Sequence, residues 1–194
     1  NFSENDIFYG PLHPSVEAYG FCKLSQIVGI KAYKSQYDLN YFSVIFPNIY
    51  GPGDDFSLED SHVIGALVKK FVDAKRLKKD IVNCWGSGKE IRDGIYVDDA
   101  VESLIRVVNT EMKSNFINIG SGKGFKINVL AEVIKKITKF KGKIIWEKPE
   151  NYGAGRKILD VRKMKTCLGW YPKTKLSNGL KKTINWYKKN YKTN

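Results

Sequence analysis

The chain has few of the residues that build metal centres and disulfide frameworks. Its 194 residues include three cysteines and two histidines, and the cysteines stand far apart without a Cys-x-x-Cys pair. This scarcity argues against a zinc site and against a disulfide-stabilised fold. We therefore predict no metal site and expect reduced, mostly structural cysteines.

The sequence also lacks long apolar segments. It contains no run of about 18 apolar residues, the length that a membrane-spanning helix needs. The polar residues 1–6 do not resemble a signal peptide. These absences predict a cytoplasmic protein with no membrane partner.

Positive charge, in contrast, is in excess, with a formal net charge of +13. Such a charge favours an anionic partner, which could be nucleic acid, an acidic surface or the phosphates of a small molecule. The lysines are spread along the whole chain, as is typical of solvated helix faces. Because aromatic residues are not interleaved with the basic ones, the sequence disfavours a nucleic-acid partner.

Helical and strand patterns alternate along the chain, and an apolar content of 42% suffices for one domain with a small lobe attached. Residues 47–53 are predicted as a loop at the carboxyl end of the first strand, where open α/β sheets place their ligands. The alternation predicts an α/β fold. After an initial loop, the patterns predict helices over 15–37, from the N-cap Ser61 through Phe71, and over 98–108, 127–138, 160–167 and 177–190, with strands over 40–46, 81–85, 95–97, 116–119 and 144–146.

One glycine-rich stretch has two interpretations. Residues 116–124 lead from a strand through Gly120 and Gly122 into a helix, as a dinucleotide-binding turn does. That fingerprint needs its third glycine three places after the second, where Phe125 stands. We therefore interpret this stretch as a plain strand-to-helix turn.

The first predicted helix carries the pair of residues best suited to chemistry. Tyr19 and Lys23 are four residues apart, so a helix places both on one face. A phenol, with an ordinary pKa near ~10, exchanges protons poorly at neutral pH unless a cation favours the phenolate. A Tyr/Lys pair moves a proton to or from a carbonyl or alcohol oxygen while hydride is transferred elsewhere. Chance spacing is the alternative, because both residue types are common here.

Several different short motifs follow one another along almost the whole chain. They are Gly10-Pro11-Leu12-His13-Pro14 with Tyr19 and Lys23, Pro47-Asn48-Ile49-Tyr50-Gly51-Pro52, Ser61-His62-Val63-Ile64, Trp85-Gly86-Ser87-Gly88, Arg92-Asp93, Val97-Asp98-Asp99, Gly155-Arg156-Lys157 and Leu168-Gly169-Trp170. Together they resemble the extended short-chain dehydrogenase/reductases that act on nucleotide sugars. Within that family, the Ser-His-Val-Ile stretch resembles the GDP-L-fucose synthases, the 3,5-epimerase/4-reductases of GDP-4-keto-6-deoxy-mannose.

The resemblance implies the C-terminal part of a Rossmann-type enzyme with a small α/β substrate-binding lobe. Residues 1–53 would end the Rossmann domain, and residues 54–194 would form mainly the lobe, with some segments returning to the Rossmann domain. In the family, a glycine-rich cofactor-binding half precedes these motifs, so we expect the fragment alone to be inactive. The resemblance also implies a homodimer packed through the helix of Tyr19.

Roles for individual residues follow from the same resemblance. Tyr19 would protonate the C4 oxygen, and Lys23 would hold the cofactor ribose and lower the pKa of the phenol. His62 would act as an acid/base in the C3 and C5 epimerisations and would contact the cofactor, although by its sequence alone it is an ordinary surface or capping histidine. NADP is the implied cofactor, with NAD as the alternative, and it would also contact Phe46, Pro47, Asn48 and Ile49. The residues implied for a GDP-sugar or another nucleotide-diphosphate sugar are Lys70, Trp85, Arg92 and Lys157.

Three departures from the family pattern leave the exact sugar open. Ala18 replaces the usual proline before the tyrosine, and Lys70 replaces an arginine, which turns a bidentate phosphate contact into a point charge. The stretch from Arg92 to Tyr96 follows the general epimerase pattern. The alternatives are another nucleotide-sugar dehydratase or 4-epimerase and a non-catalytic nucleotide-sugar-binding module.

Overall fold

The structure is a computed structural model that describes residues 1–112, 114–147 and 155–191. Helices and strands alternate, as the sequence predicts. The helices are α1 (Glu17–Tyr37), α2 (Val63–Arg76), α3 (Val97–Val108), α4 (Ile127–Thr138), α5 (Arg162–Leu168) and α6 (Leu176–Asn190). The strands are β1 (Ser43–Ile45), β2 (Asn48–Tyr50), β3 (Ile81–Trp85), β4 (Ile91–Arg92), β5 (Gly94–Tyr96), β6 (Phe116–Asn118), β7 (Phe125–Lys126), β8 (Lys143–Glu147) and β9 (Arg156–Lys157).

Parallel pairing dominates the strands. β1 pairs with β6, β2 with β5, and β3 with β8, all in parallel. β4 lies between β9, which is parallel to it, and β7, which is antiparallel. Because parallel strands need long crossover connections, helices fill the intervals between paired strands. The predicted α/β class is confirmed.

Two hydrophobic clusters form the core. In the first, the apolar faces of α2, α4 and α6 pack together, with Phe71, Leu130 and Ile184 fully buried. The second joins β6 to α3 and α5 through residues such as Ile117, Val107 and Met164. The division of the chain at residues 53 and 54 stays a prediction.

The residues before α1 contain more structure than the predicted loop. They form short 3-10 turns over Glu4–Phe8 and Pro14–Val16. Phe2 makes a parallel bridge with Leu159, and the buried Glu4 carboxylate accepts a hydrogen bond of 2.9 Å from the Asn118 backbone N–H. These contacts attach the beginning of the chain to the second hydrophobic cluster.

Two local predictions are wrong. Residues 47–53 are not entirely loop, because Asn48–Tyr50 forms β2 beside β5. Ser61 is not the N-cap of α2; the cap is His62, with an extended backbone (φ −70°, ψ 161°), whereas the Ser61 hydroxyl donates to the Ser57 carbonyl. Across the part of the chain that the structure describes, no helix is both long and apolar enough to cross a membrane.

Candidate active site

Tyr19 and Lys23 lie on the first turns of α1, on one exposed face of the helix. The Lys23 ammonium is 5.5 Å from the centroid of the Tyr19 ring. Tyr19 is 67% exposed, so the phenol is open to a molecule that approaches this face. The ammonium is therefore within the distance of a cation–π contact with the phenol ring.

The segment from Phe46 to Ile49 crosses from one parallel pair of strands to another. Phe46 and Pro47 connect β1 to β2, and Asn48 and Ile49 lie on β2 opposite Gly94 and Ile95 of β5. The ring of Pro47 packs against Gly120, where a Cβ atom would be 3.1 Å from the proline Cγ. The predicted cofactor segment therefore adjoins the glycine turn that follows β6.

Asp93 ties that glycine turn to the strand of Arg92. Its carboxylate is buried and accepts hydrogen bonds from the Ser121 hydroxyl and, at 3.1 Å, from the Gly122 backbone N–H. Burial raises the pKa of Asp93, and these hydrogen bonds oppose the rise. The donors of the glycine turn thus serve an internal carboxylate, which agrees with the interpretation of residues 116–124 as a plain turn.

Arg92 and Lys157 are neighbours on adjacent strands. They are register partners in the parallel pair of β4 and β9, so their side chains leave the sheet on the same face. Arg92 is half-buried, which lowers the pKa of its guanidinium, while the Glu90 carboxylate raises it. Lys157 is exposed. Two adjacent cations of this kind suit a diphosphate, which accepts charge-assisted hydrogen bonds.

Lys70 and Trp85 form a second pair where α2 meets β3. The Lys70 ammonium lies 4.5 Å from the centroid of the Trp85 ring and donates a hydrogen bond of 2.8 Å to the Asn83 carbonyl. Trp85 is 62% exposed, unlike a typical core tryptophan. The exposed indole and the adjacent cation offer an apolar surface and a charge to a nucleotide.

His62 begins α2 without using its imidazole as a cap. The side chain is exposed and makes no hydrogen bond to the first turn of the helix. Burial raises the pKa of the Asp54 carboxyl, and the charge of His62 acts in the opposite direction and favours the carboxylate. Sequence reasoning did not select Asp54; the signal for it is structural, a buried carboxylate oxygen without a hydrogen-bond partner.

The predicted residues thus form local groups rather than one closed pocket. The structure brings together Tyr19 with Lys23, Lys70 with Trp85, and Arg92 with Lys157. The turn over residues 86–90, closed by a hydrogen bond of 2.7 Å from the Ser87 hydroxyl to Glu90, joins the second pair to the third.

The residues of the site can contact only part of a dinucleotide. The exposed phenol of Tyr19 and the ammonium of Lys23 suit a ribose and a reacting oxygen. The glycine turn, in contrast, already donates its hydrogen bonds to Asp93. In the described residues, no group of three or more histidine, cysteine or acidic side chains is placed to hold a metal ion.

Comparisons with known proteins identify the family of the chain. The chain matches the NAD dependent epimerase/dehydratase family over residues 2–120. It is 36% identical over 187 residues to a probable GDP-L-fucose synthase of Oryza sativa, and this match covers 96% of the chain and 57% of the relative. It is 34% identical over 197 residues to the GDP-L-fucose synthase of Escherichia coli, covering 97% of the chain and 61% of the relative.

The fold has a close counterpart among solved structures. A GDP-L-fucose synthetase of Naegleria fowleri bound to NADP superimposes with a TM-score of 0.89 at 25% identity, covering 98% of this chain and 61% of that one. The chain therefore spans less than two-thirds of the length of these relatives. By its sequence match and by its structure, it belongs to the NAD dependent epimerase/dehydratase family.

Proposed function

We propose that this chain is the substrate-binding and proton-transferring part of an NADP-dependent nucleotide-sugar epimerase/reductase of the GDP-L-fucose synthase kind. The observation that carries the proposal is two pairs of side chains, one a cation beside an exposed indole and the other two neighbouring cations. Lys70 lies over Trp85, and Arg92 is the register partner of Lys157. We assign the base of the nucleotide to the first pair and the diphosphate to the second.

The proposed chemistry uses Tyr19, Lys23 and His62. Tyr19 donates a proton to the C4 oxygen of the keto sugar, and the Lys23 ammonium stabilises the resulting phenolate. When bound, NADPH supplies the hydride that adds to the C4 carbon. His62 exchanges the protons at C3 and C5. The proposed cofactor contacts are Tyr19, Lys23, His62 and the segment from Phe46 to Ile49.

The proposed location of the enzyme is the cytoplasm. The proposed assembly is a homodimer packed through α1. Residues 1–53 are assigned to the end of the cofactor-binding domain and residues 54–194 mainly to the substrate lobe.

Calorimetry on the chain itself tests the nucleotide site. We expect GDP-mannose and GDP to bind, and UDP-glucose to bind more weakly. Trp85→Ala and Lys157→Gln should each weaken GDP binding by about tenfold, the effect of losing one stacking or charge-assisted contact. Tyr171→Ala removes another exposed aromatic side chain and Lys181→Gln another exposed charge, so both serve as matched controls.

Two results would contradict the proposal. The first is an affinity for GDP that Trp85→Ala and Lys157→Gln leave at the level of their controls. The second is the absence of any heat of binding with GDP and GDP-mannose. Tighter binding of UDP-glucose would instead favour a 4-epimerase of the same family.

A further inference from the structure

Asp54 carries a buried acceptor that the fold does not use. Its Oδ1 atom accepts a hydrogen bond of 2.9 Å from the Asp55 backbone N–H, and its own N–H donates to the Gly51 carbonyl at 3.3 Å. These bonds fix the orientation of the carboxylate. Within the described ranges, its Oδ2 atom is the one fully buried side-chain nitrogen or oxygen without a hydrogen-bond partner. An unpaired buried carboxylate oxygen destabilises a fold, so this atom is a candidate acceptor for a hydrogen bond that forms in function.

The carboxylate is held beside the beginning of α2. The backbone of Asp55 packs so closely on the first turn of this helix that a Cβ at Gly65 would collide with the Asp55 carbonyl oxygen. The helix begins after His62, whose exposed imidazole makes no capping bond. Glycine at position 65 therefore permits the approach that brings the Asp54 turn close to His62.

The electrostatics of the pair point the same way. Burial is the largest influence on Asp54 and raises its pKa, and the charge of Asp55 adds to the rise. The charge of His62 acts in the opposite direction and favours the carboxylate. An imidazole that turned inward would supply the missing donor, and exposed side chains change rotamer within picoseconds to nanoseconds.

We propose that Asp54 is a positioning residue for His62: the imidazole turns inward from the exposed orientation that the structure shows, and the Asp54 Oδ2 atom then accepts a hydrogen bond from one ring N–H. The bond selects one tautomer, so the other ring nitrogen is left to exchange protons with the substrate. When that nitrogen takes a proton from a sugar carbon next to the C4 ketone, the C–H electron pair passes into the enolate, and the carboxylate stabilises the imidazolium until the ring releases its proton. The inference rests on the acid/base role proposed for His62.

Nitrogen-15 NMR of labelled histidine tests the hydrogen bond without any nucleotide. With two histidines in the chain, His13 serves as an internal reference. Imidazole in water already favours one tautomer, so the comparison is made with Asp54→Asn at a pH where the ring is neutral. We expect the tautomer ratio of His62 to change by about fivefold or more in Asp54→Asn, because the Asp55 N–H keeps the amide oxygen at the Oδ1 position and turns the Oδ2 position into a donor. Asp60→Asn, which removes an exposed charge near His62, should leave the ratio unchanged.

A reciprocal measurement covers the case in which Asp54→Asn does not fold. His62→Gln alters an exposed side chain, and we expect the carbon-13 titration of the Asp54 carboxyl to move to higher pH, since the charge that favours the carboxylate is lost. A His62 tautomer ratio that Asp54→Asn leaves unchanged would overturn the proposal, as would unchanged Asp54 titration in His62→Gln. Because neither readout involves GDP, a failure here is distinct from a failure of nucleotide binding.

Discussion

The Asp93 carboxylate accepts the hydrogen bonds that a glycine-rich turn offers to a phosphate in nucleotide-binding proteins. It also lies directly after Arg92, and its backbone N–H donates to the Lys157 carbonyl at 3.0 Å. One buried residue therefore fixes the glycine turn and the strand pair of the two cations. The sequence shows that Phe125 stands where the dinucleotide-binding fingerprint needs a glycine. It could not show that Asp93 accepts the hydrogen bonds of the turn, because Asp93 is distant along the chain.

Cys84 provides a prediction about reactivity. Burial raises the pKa of its thiol to about 11, although the charge of Lys70 opposes this effect. At pH 8 only about one thiol in a thousand with that pKa is ionised, and the thiolate is the nucleophile. We expect iodoacetamide to alkylate the exposed Cys22 and Cys167 at least about 100-fold faster than Cys84, as followed by mass spectrometry.

The same pKa predicts how Cys84 affects stability. Because the thiol has a higher pKa in the folded chain than in the unfolded chain, its protonated form contributes to the free energy of unfolding. This contribution is complete below the pKa of the unfolded thiol, about 8.5. It is lost as the pH rises from there toward about 11.

For the alkylation experiment, the control is alkylation in urea, where all three cysteines should react. Equal rates for Cys84 and Cys22 in the folded chain would show that the thiol is not protected.

Two glycines on helices allow the effects of close packing and of helix propensity on stability to be measured separately. Gly65 on α2 faces the Asp55 carbonyl, whereas nothing lies within 4 Å of a Cβ built at Gly29 on α1. We expect Gly65→Ala to lower the free energy of unfolding by about 1–3 kcal/mol through overpacking. Gly29→Ala should raise it by about 0.5–1 kcal/mol, since alanine favours a helix. Urea denaturation measures both, and a stabilising Gly65→Ala would contradict the close contact.

Secondary structure was predictable where hydrophobic periodicity extends over a full element. The predicted strand over 81–85 and helix over 127–138 match β3 and α4. The strands β4, β7 and β9 have two residues each, too few to show a period, and pairing across the chain creates them. This short sheet carries Arg92 and Lys157, so the sequence motif indicated both cations but gave no sign that they are neighbours.

The periodicity of α1 predicted an apolar face but could not say what covers it. In the structure, Ile27 is the one buried residue of α1, while Tyr19, Phe21 and Val28 are among its exposed apolar side chains. A surface cavity of about 340 Å³ beside the helix is lined by Phe8, Ile27, Val28, Lys31, Asn115 and Phe116. Several exposed apolar side chains on one helix are typical of an interface. They support the proposal of a homodimer packed through α1.

Amide hydrogen exchange of the isolated chain should therefore be faster in α1 than in the helices of the core. An isolated helix is marginally stable in water, and α1 has little tertiary packing to stabilise it, whereas α2 and α4 bury whole apolar faces. We expect α1 amides to exchange at least about tenfold faster than those of α4, as measured by mass spectrometry. A measurement at tenfold lower protein concentration would separate self-association from intrinsic stability. If α1 exchanged as slowly as α4 at both concentrations, the helix would be stable without a partner, and the proposed interface would lose its physical basis.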